Sequence, residues 1–162
     1  MTIVALTIRS GYRTIIVLVA LMTYLGAGCG QDRSSDPLAG QLIALGGGFD
    51  RDPEGRITFV NLSSTTVSDD DLEVLARLPA LTNLWLHETT ITDGGLVHLK
   101  DLKNLEVLVL SQTGITNGGL VHLNGLLNLH EIYLSQTAVT PEGVLKLKAF
   151  LPKTAIVLYI YK

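Results

Sequence analysis

A repeat of 24 residues runs through most of this chain and constrains its fold more than any other feature. Leucine recurs at this interval at Leu62, Leu86, Leu110, Leu134 and Leu158. The same interval holds for Val60, Leu84, Leu108, Ile132 and Ile156, for Thr65, Thr89, Thr113 and Thr137, for Val67, Ile91, Ile115 and Val139, and for Leu75, Leu99, Leu123 and Leu147. A repeat of this length is typical of a solenoid, because no unit can bury its apolar face by itself and successive units stack into one core.

Each unit contains two local patterns. Leucines alternate at Leu84 and Leu86, which predicts a short strand with these side chains facing inward. The spacing of Leu96 and Leu99 is helix-like. A third apolar position recurs in each helical segment and is expected to face the core; in the last unit it is Phe150. The expected helix N-caps, whose side-chain oxygens can accept unpaired backbone N–H groups, are Ser68, Thr92, Thr116 and Thr140.

The consensus of the unit resembles a known family. The pattern Leu81-x-x-Leu84-x-Leu86-x-x-Thr89-x-Ile91 resembles the leucine-rich repeat, with threonine where that family usually has asparagine or cysteine. The segment Thr92-Asp93-Gly94-Gly95-Leu96 looks like the Thr-Asp-x-Gly-Leu variety found in bacterial exported repeat proteins and in eukaryotic ubiquitin-ligase adaptors. The resemblance runs from about residue 60 to 158. It implies an α/β leucine-rich-repeat solenoid of about four repeats, with short parallel strands on one side and helices on the other.

The threonine column of the repeat has a structural interpretation. Thr65, Thr89, Thr113 and Thr137 fall in the tight turn that follows each strand. Buried polar groups need hydrogen-bond partners, so we expect these hydroxyls to bond backbone groups in the turns between adjacent units.

The first 28 residues have the layout of a secretory signal. Arg9 and Arg13 precede an apolar run over residues 14–25, which is shorter than the roughly 20 residues that a membrane-spanning helix needs. The run leads into Cys29, the only cysteine of the chain. The stretch Leu25-Gly26-Ala27-Gly28-Cys29 resembles a bacterial lipobox, although Gly26 stands where that motif has leucine. The resemblance implies that Cys29 is lipidated and anchors an exported protein to a membrane. Without the lipid, the protein is secreted or periplasmic.

The rest of the chain divides by composition. Residues 29–37 are small and polar and predict a flexible tether. Residues 38–59 are expected to form an N-terminal cap, with a helix over Leu38–Phe49 and a polar turn over Asp50–Gly55. Residues 60–162 carry the repeats.

The charge of the chain argues against nucleic acid as a partner. Removal of Arg9 and Arg13 with the signal segment leaves ten basic residues of the 12 against 15 acidic ones, a net charge of −5. Phosphate binding requires clustered lysine and arginine, and here these residues are scattered.

The outward side chains of the strands are the expected binding surface. Alternate residues of each strand point away from the core, and stacking places them in rows. Exposed aromatic residues are enriched at protein interfaces. We therefore expect a non-catalytic protein-binding module whose partner-binding residues are Trp85, His87, Val109, Tyr133 and Tyr159.

The sequence does not provide a complete set of residues for a catalytic site or a metal site. His87 and Ser111 fall on neighbouring strands, but no third catalytic partner accompanies them. His98 and His122 recur with the repeat and have no third ligand between them. The acidic run Asp69–Asp71 is explained by a favourable interaction with a helix N-terminus. We expect no enzymatic activity, no metal and no cofactor.

Two alternatives to a binding module remain at this stage. The apolar, β-prone segment over residues 156–161 predicts an exposed edge strand that pairs with a second copy, which makes the protein a self-assembling subunit or homodimer. A ubiquitin-ligase adaptor is implied by the repeat resemblance only, and the signal-like segment argues against it.

Overall fold

The structure of the protein is a computed structural model that describes residues 36–158. The signal-like segment, Cys29 and Tyr159 lie outside the described residues. None of the helices within the described range is long and apolar enough to cross a membrane.

The chain alternates strands with helical segments. The strands are β1 (Gly48–Arg51), β2 (Ile57–Asn61), β3 (Asn83–Trp85), β4 (Val107–Val109), β5 (Glu131–Tyr133) and β6 (Ala155–Val157). The helical segments are the α-helices α1 (Pro37–Ala44) and α2 (Pro141–Phe150) and the 3-10 helices η1 (Asp70–Arg77), η2 (Gly95–Leu99) and η3 (Gly119–Leu123). The six strands form one sheet in sequence order. β1 is antiparallel to β2, and all later pairs are parallel.

The sheet register confirms the 24-residue repeat. Leu84 pairs with Leu108, and Leu108 pairs with Ile132, so every unit advances the chain by one strand. These inward side chains are fully buried and belong to one continuous core. Burial of such a side chain contributes about 1.5–3 kcal/mol, so the leucine columns are the main source of stability.

The helical side differs between the first three repeats and the last. Leu96, Leu99 and Leu102 are spaced by three, which is the period of a 3-10 helix, and all three are buried. In the last repeat the inward positions are Leu147 in α2 and Leu151 directly after it, spaced by four as in an α-helix. The expectation that Phe150 faces the core was wrong, because this change of period turns Phe150 outward, where it is 56% exposed.

The N-terminal segment also differs from the expectation. The helix ends at Ala44 rather than at Phe49, because the glycine run follows and Gly46 adopts a positive φ of 78°. The next residues form β1, and Phe49 pairs with Val60. The expected polar turn therefore begins after Arg51. Helix α1 packs against β1 and η1 and buries Leu42 in the core.

The threonine column forms the expected hydrogen bonds to the backbone. Each hydroxyl donates to the carbonyl oxygen three residues earlier, so the bond closes a turn within one unit rather than between adjacent units. The bonds are Thr65 to Leu62 (2.6 Å), Thr89 to Leu86 (2.7 Å), Thr113 to Leu110 (2.6 Å) and Thr137 to Leu134 (2.7 Å). The same turns contain non-glycine residues with φ of 57–58°, namely Ser64, Glu88, Gln112 and Gln136.

A ladder of side-chain bonds joins adjacent units on the helical side. The Asp69 carboxylate accepts from the backbone N–H and the hydroxyl of Thr92, at 2.7 and 2.5 Å. Asp93 bonds Thr116 at the same two distances. The last step uses Asn117, whose Oδ1 accepts from the Thr140 N–H and whose Nδ2 donates to the Thr140 hydroxyl, both at 3.0 Å. We call these contacts the Asp/Asn ladder.

In the first repeat, the donors at the equivalent position bond to an acceptor of the same repeat. The backbone N–H and hydroxyl of Ser68, which holds the place of Thr92, both donate to Asp71 Oδ2, at 2.8 and 2.7 Å. Asp71 stands where later units have Gly95 or Gly119. The expected N-cap was therefore wrong at Ser68, whose hydroxyl donates to a carboxylate rather than capping η1. At Thr140 it is confirmed, because the Thr140 hydroxyl accepts from the Gly143 N–H at 3.4 Å.

The expected N-caps were also wrong at Thr92 and Thr116, which lie in turns ahead of the helices. The hydroxyls of Thr92 and Thr116 accept from the backbone N–H groups two residues later, at 3.4 and 3.0 Å. The 3-10 helices that follow begin at Gly95 and Gly119 and have no side-chain cap.

Candidate binding face on the strands

The outward side chains of the sheet form two rows, which we call the strand face. One row is Asp50, Phe59, Asn83, Val107, Glu131 and Ala155, and the other is Gly48, Asn61, Trp85, Val109, Tyr133 and Val157. Neighbouring members lie on adjacent strands, about 4.8 Å apart. The structure thus places three predicted partner-binding residues, Trp85, Val109 and Tyr133, side by side in one row.

The fourth predicted residue, His87, lies just beyond the end of β3. Its side chain is half-buried, and its backbone oxygen accepts from Ser64 N at 3.0 Å. It therefore continues the strand face toward the turns. The fifth, Tyr159, is outside the described residues.

Trp85 is held in place by a second aromatic residue. The Phe59 ring meets it edge-on, with ring centroids 5.3 Å apart and ring planes at 85°. Such a pair contributes about 0.5–1.5 kcal/mol beyond the apolar area that it buries. The contact orients Trp85 on the strand face before any partner binds.

Tyr133 and Glu131 form a polar pair farther along the face. The Tyr133 hydroxyl donates to Glu131 Oε2 at 2.7 Å. A carboxylate has about four lone-pair sites, so Glu131 can accept further hydrogen bonds while it keeps this one. The pair presents an aromatic ring and a negative charge together.

Polar groups surround the Asn61 end of the face. Asn61 Oδ1 accepts from Ser63 N at 3.0 Å. The Ser63 hydroxyl oxygen is buried and has no hydrogen-bond partner among the described residues. A row of exposed side chains follows at the turns, where Ser64 donates to Glu88 at 2.7 Å and Gln112 donates to Gln136 at 2.5 Å.

The strand face is acidic. Its two rows contain the carboxylates of Asp50 and Glu131 and neither lysine nor arginine. Arg51, next to Asp50, instead bonds Asp36 at 2.6 Å and lies over the Phe49 ring, 5.2 Å from its centroid.

Lysines lie away from the strand face. The Lys103 ammonium donates to the Lys100 carbonyl at 2.6 Å, in the segment that returns from η2 to β4. The Lys148 ammonium of α2 donates to the Thr154 carbonyl. The apolar side chains of Val121 and Leu145, 57% and 71% exposed, also lie on the helical side.

The side chains that could bind a metal ion or act in catalysis are spread over the described residues. Within residues 36–158, no three His, Cys, Asp or Glu side chains come close enough to hold a metal ion. His87 and Ser111 do lie on neighbouring units, since the Glu88 N–H donates to the Ser111 carbonyl at 3.0 Å. A groove of about 400 Å³ lies between α1 and η1, away from the strand face, and is lined by Gln41, Ala44, Leu45, Asp70, Asp71, Glu73, Val74 and Arg77. In this groove, hydrogen bonds from the Ser68 hydroxyl and N–H lower the pKa of Asp71.

Sequence reasoning missed Asp50 as part of the face, because residues 50–55 were interpreted as a turn. The available signal for a strand was Phe49, an aromatic residue of high β-propensity directly before Asp50. The T-shaped contact between Phe59 and Trp85 was also missed, because residues on neighbouring rows approach each other only once the sheet is built.

No protein-family model matches the chain, and no curated protein matches it. Solved structures do. Leiomodin-1 actin-binding site 2 matches with a TM-score of 0.53 at 16% identity, over 78% of this chain and 82% of that one.

Two further structures match over shorter stretches. Internalin C2 from Listeria monocytogenes str. 4b F2365 has a TM-score of 0.46 at 24% identity and covers 54% of this chain. This chain spans only 36% of that internalin. The PEPR1–AtPEP1 structure has a TM-score of 0.42 at 16% identity, over 69% of this chain and 19% of that one. The repeat register, the parallel sheet and the likeness to leiomodin-1 identify the fold as an α/β leucine-rich-repeat solenoid.

Proposed function

We propose that this protein is a non-catalytic protein-binding module whose strand face takes the partner. The observation that carries the proposal is the row Trp85, Val109 and Tyr133 on three adjacent parallel strands. Tryptophan and tyrosine are among the residues most enriched at binding hot spots, and here they flank Val109. The leiomodin-1 structure, which has the same fold, is described as an actin-binding site and offers a precedent for protein binding.

The size of the face favours modest affinity. Each row crosses six strands, or five spacings, which corresponds to about 24 Å at roughly 4.8 Å per strand. This is small beside the area that a stable protein–protein interface buries, so we expect weak or transient binding unless several copies act together.

The experiment is affinity capture with the full chain carrying a C-terminal tag, from envelope extract of the source organism. The test variant is Trp85→Ala/Tyr133→Ala, and the matched control is Val121→Ala/Leu145→Ala, which removes apolar side chains from the helical side. We expect a partner that the wild type and the control capture and the test variant loses. Capture by all three in equal amounts would refute a role for the strand face. Circular dichroism melting of each variant checks that the fold is intact.

We also propose that the protein works at the cell envelope, anchored through Cys29. This rests on the signal-like segment 1–28 and on the lipobox resemblance of residues 25–29. In a bacterial host, wild-type protein should partition into the detergent phase after Triton X-114 extraction, and Cys29→Ser should partition into the aqueous phase. Equal partition of the two proteins would contradict the anchor.

A self-assembling subunit is the second candidate. In the part of the chain that the structure describes, β6 pairs with β5 only, and Ile156 and Leu158 are partly exposed, whereas the equivalent Ile132 and Leu134 are fully buried. Analytical ultracentrifugation of the full chain over a rising concentration series decides the matter. A concentration-dependent dimer supports this candidate, and a monomer at every concentration removes it.

A further inference from the structure

We infer that the partner segment is an extended, basic peptide stretch that crosses the strands and places two cationic side chains about six residues apart, one at Asp50 and one at Glu131. This inference rests on the proposed function and specifies the chemistry of its partner.

The two carboxylates stand at opposite ends of one row. Asp50 pairs with Phe59 across β1 and β2, and Glu131 lies three strands beyond Phe59 on β5. Four strand spacings separate the two carboxylates, or about 19 Å at roughly 4.8 Å per strand. An extended chain advances about 3.3 Å per residue, so this distance corresponds to about six residues. Because side chains alternate along an extended chain, residues six apart point to the same side.

The surface between the carboxylates is mainly apolar and aromatic, and Asn83 is the one polar side chain between them in their row. Phe59 and Val107 lie in the same row as the two acids, and Trp85 and Val109 lie beside them in the second row. The positions two and four residues after the first cation also face the protein, so we expect them to carry apolar side chains. A segment with the order cation, apolar, apolar, cation at every second residue matches the face in both charge and polarity.

The charge of the face selects a cationic partner over an anionic one. Neither row contains lysine or arginine to neutralise its acids or to attract a carboxylate or phosphate. The neighbouring arginines are engaged elsewhere, Arg51 with Asp36 at 2.6 Å and Arg56 with Asp52 at 2.6 Å. Glu131 is oriented by the Tyr133 hydroxyl and keeps lone pairs for a guanidinium or ammonium group.

The size of the effect is limited by solvent. Ion pairs between exposed groups are screened by water and salt, so each carboxylate should change the dissociation constant by about two- to fivefold. The two together should change it by about four- to 25-fold, and the effect should shrink as ionic strength rises.

The test selects a random dodecapeptide library displayed on phage against the full chain, with counter-selection on Trp85→Ala/Tyr133→Ala. Face-dependent peptides are sequenced, synthesised and titrated by fluorescence anisotropy against wild type, Asp50→Asn, Glu131→Gln and the double variant. Glu142→Gln, which removes an exposed acid from α2, is the matched charge control. Each substitution is nearly isosteric, and the amide oxygen that Glu131→Gln introduces can still accept from the Tyr133 hydroxyl.

We expect two Lys or Arg residues about six positions apart to be enriched, and we expect the stated losses for the face variants but not for Glu142→Gln. The inference is overturned if the selected peptides lack the basic pair, if they bind Asp50→Asn/Glu131→Gln as tightly as wild type, or if no peptide depends on the face. Its failure is distinguishable from that of the proposed function. A partner captured through Trp85 and Tyr133 keeps the binding module even when the basic segment is refuted, whereas the absence of any face-dependent ligand in both experiments refutes both.

Discussion

The Asp/Asn ladder makes the coupling between units measurable at one side chain. Asp93→Ala removes the acceptor for two Thr116 donors at 2.7 and 2.5 Å. A buried hydrogen bond to a charged group contributes about 1.5–3 kcal/mol to the free energy of unfolding. Asp93 is partly exposed, so water can take over as the acceptor for the Thr116 donors once the carboxylate is removed. We therefore expect a total loss of about 2 kcal/mol in the free energy of unfolding, which corresponds to a fall of roughly 6–10 °C in Tm.

The protein contains its own control for this substitution. Asn117 forms the equivalent bonds to Thr140 with an uncharged amide, so Asp93→Asn should cost less than half as much as Asp93→Ala. A Cβ at Gly119 would overlap the Asp93 carboxylate, so Gly119→Ala should also be destabilising. In a double-mutant cycle measured by urea denaturation, Gly119→Ala should cost about 1 kcal/mol less when Asp93 is already alanine. A loss below about 0.5 kcal/mol for Asp93→Ala would refute the ladder as a stabilising element. Strict additivity in the cycle would refute the close approach of Gly119 to the Asp93 carboxylate.

Three further predictions concern single positions. Gln112 has a φ of 58°, so Gln112→Val should destabilise the fold by about 1–2 kcal/mol whereas Gln112→Asn is neutral or stabilising; equal urea midpoints for the two would count against backbone strain there. The buried Thr113 hydroxyl donates to the Leu110 carbonyl at 2.6 Å, so Thr113→Val should cost about 1–2 kcal/mol in thermal unfolding; an unchanged Tm would contradict this. Because Ser68 lowers the pKa of Asp71 below its unfolded value of about 3.8, the stability that this carboxylate contributes is present above that pH and is lost as the pH falls toward the folded pKa. Asp71→Asn should therefore flatten the acid limb of a Tm-against-pH curve, and an unaltered slope would contradict the linkage.

The sequence predicted the repeat and its register because identical side chains recur at a fixed interval. Once Leu84 and Leu108 occupy equivalent positions, parallel stacking follows, and the outward row of Trp85, Val109 and Tyr133 follows with it. The threonine hydroxyls were also predictable as backbone donors, since a buried hydroxyl needs an acceptor.

Elements outside the repeat consensus were less predictable. Strand β1 was missed because Phe49 is its only residue with strong β-propensity, and its pairing with β2 comes from tertiary contact. Phe150 was misplaced because the period of α2 differs from that of the 3-10 helices by less than one residue per turn, and this difference accumulates to a full position at Leu151.

The internal units bond to their neighbours through the ladder, whereas the first unit bonds within itself, and this difference determines where further repeats can be added to the solenoid. An internal unit, such as residues 92–115, brings the Thr92 donors for the unit before it and the Asp93 acceptor for the unit after it, so a duplicated copy inserted in frame leaves every ladder bond satisfied. A copy of the first unit cannot be inserted between internal units in this way. Its Asp71 would occupy the space that the ladder carboxylate of the preceding unit fills, and the two carboxylates would carry the same charge. Lengthening by duplication of internal units is therefore compatible with the bonding pattern, whereas fusion of another unit ahead of Ser68 requires Asp71 to be replaced by glycine first.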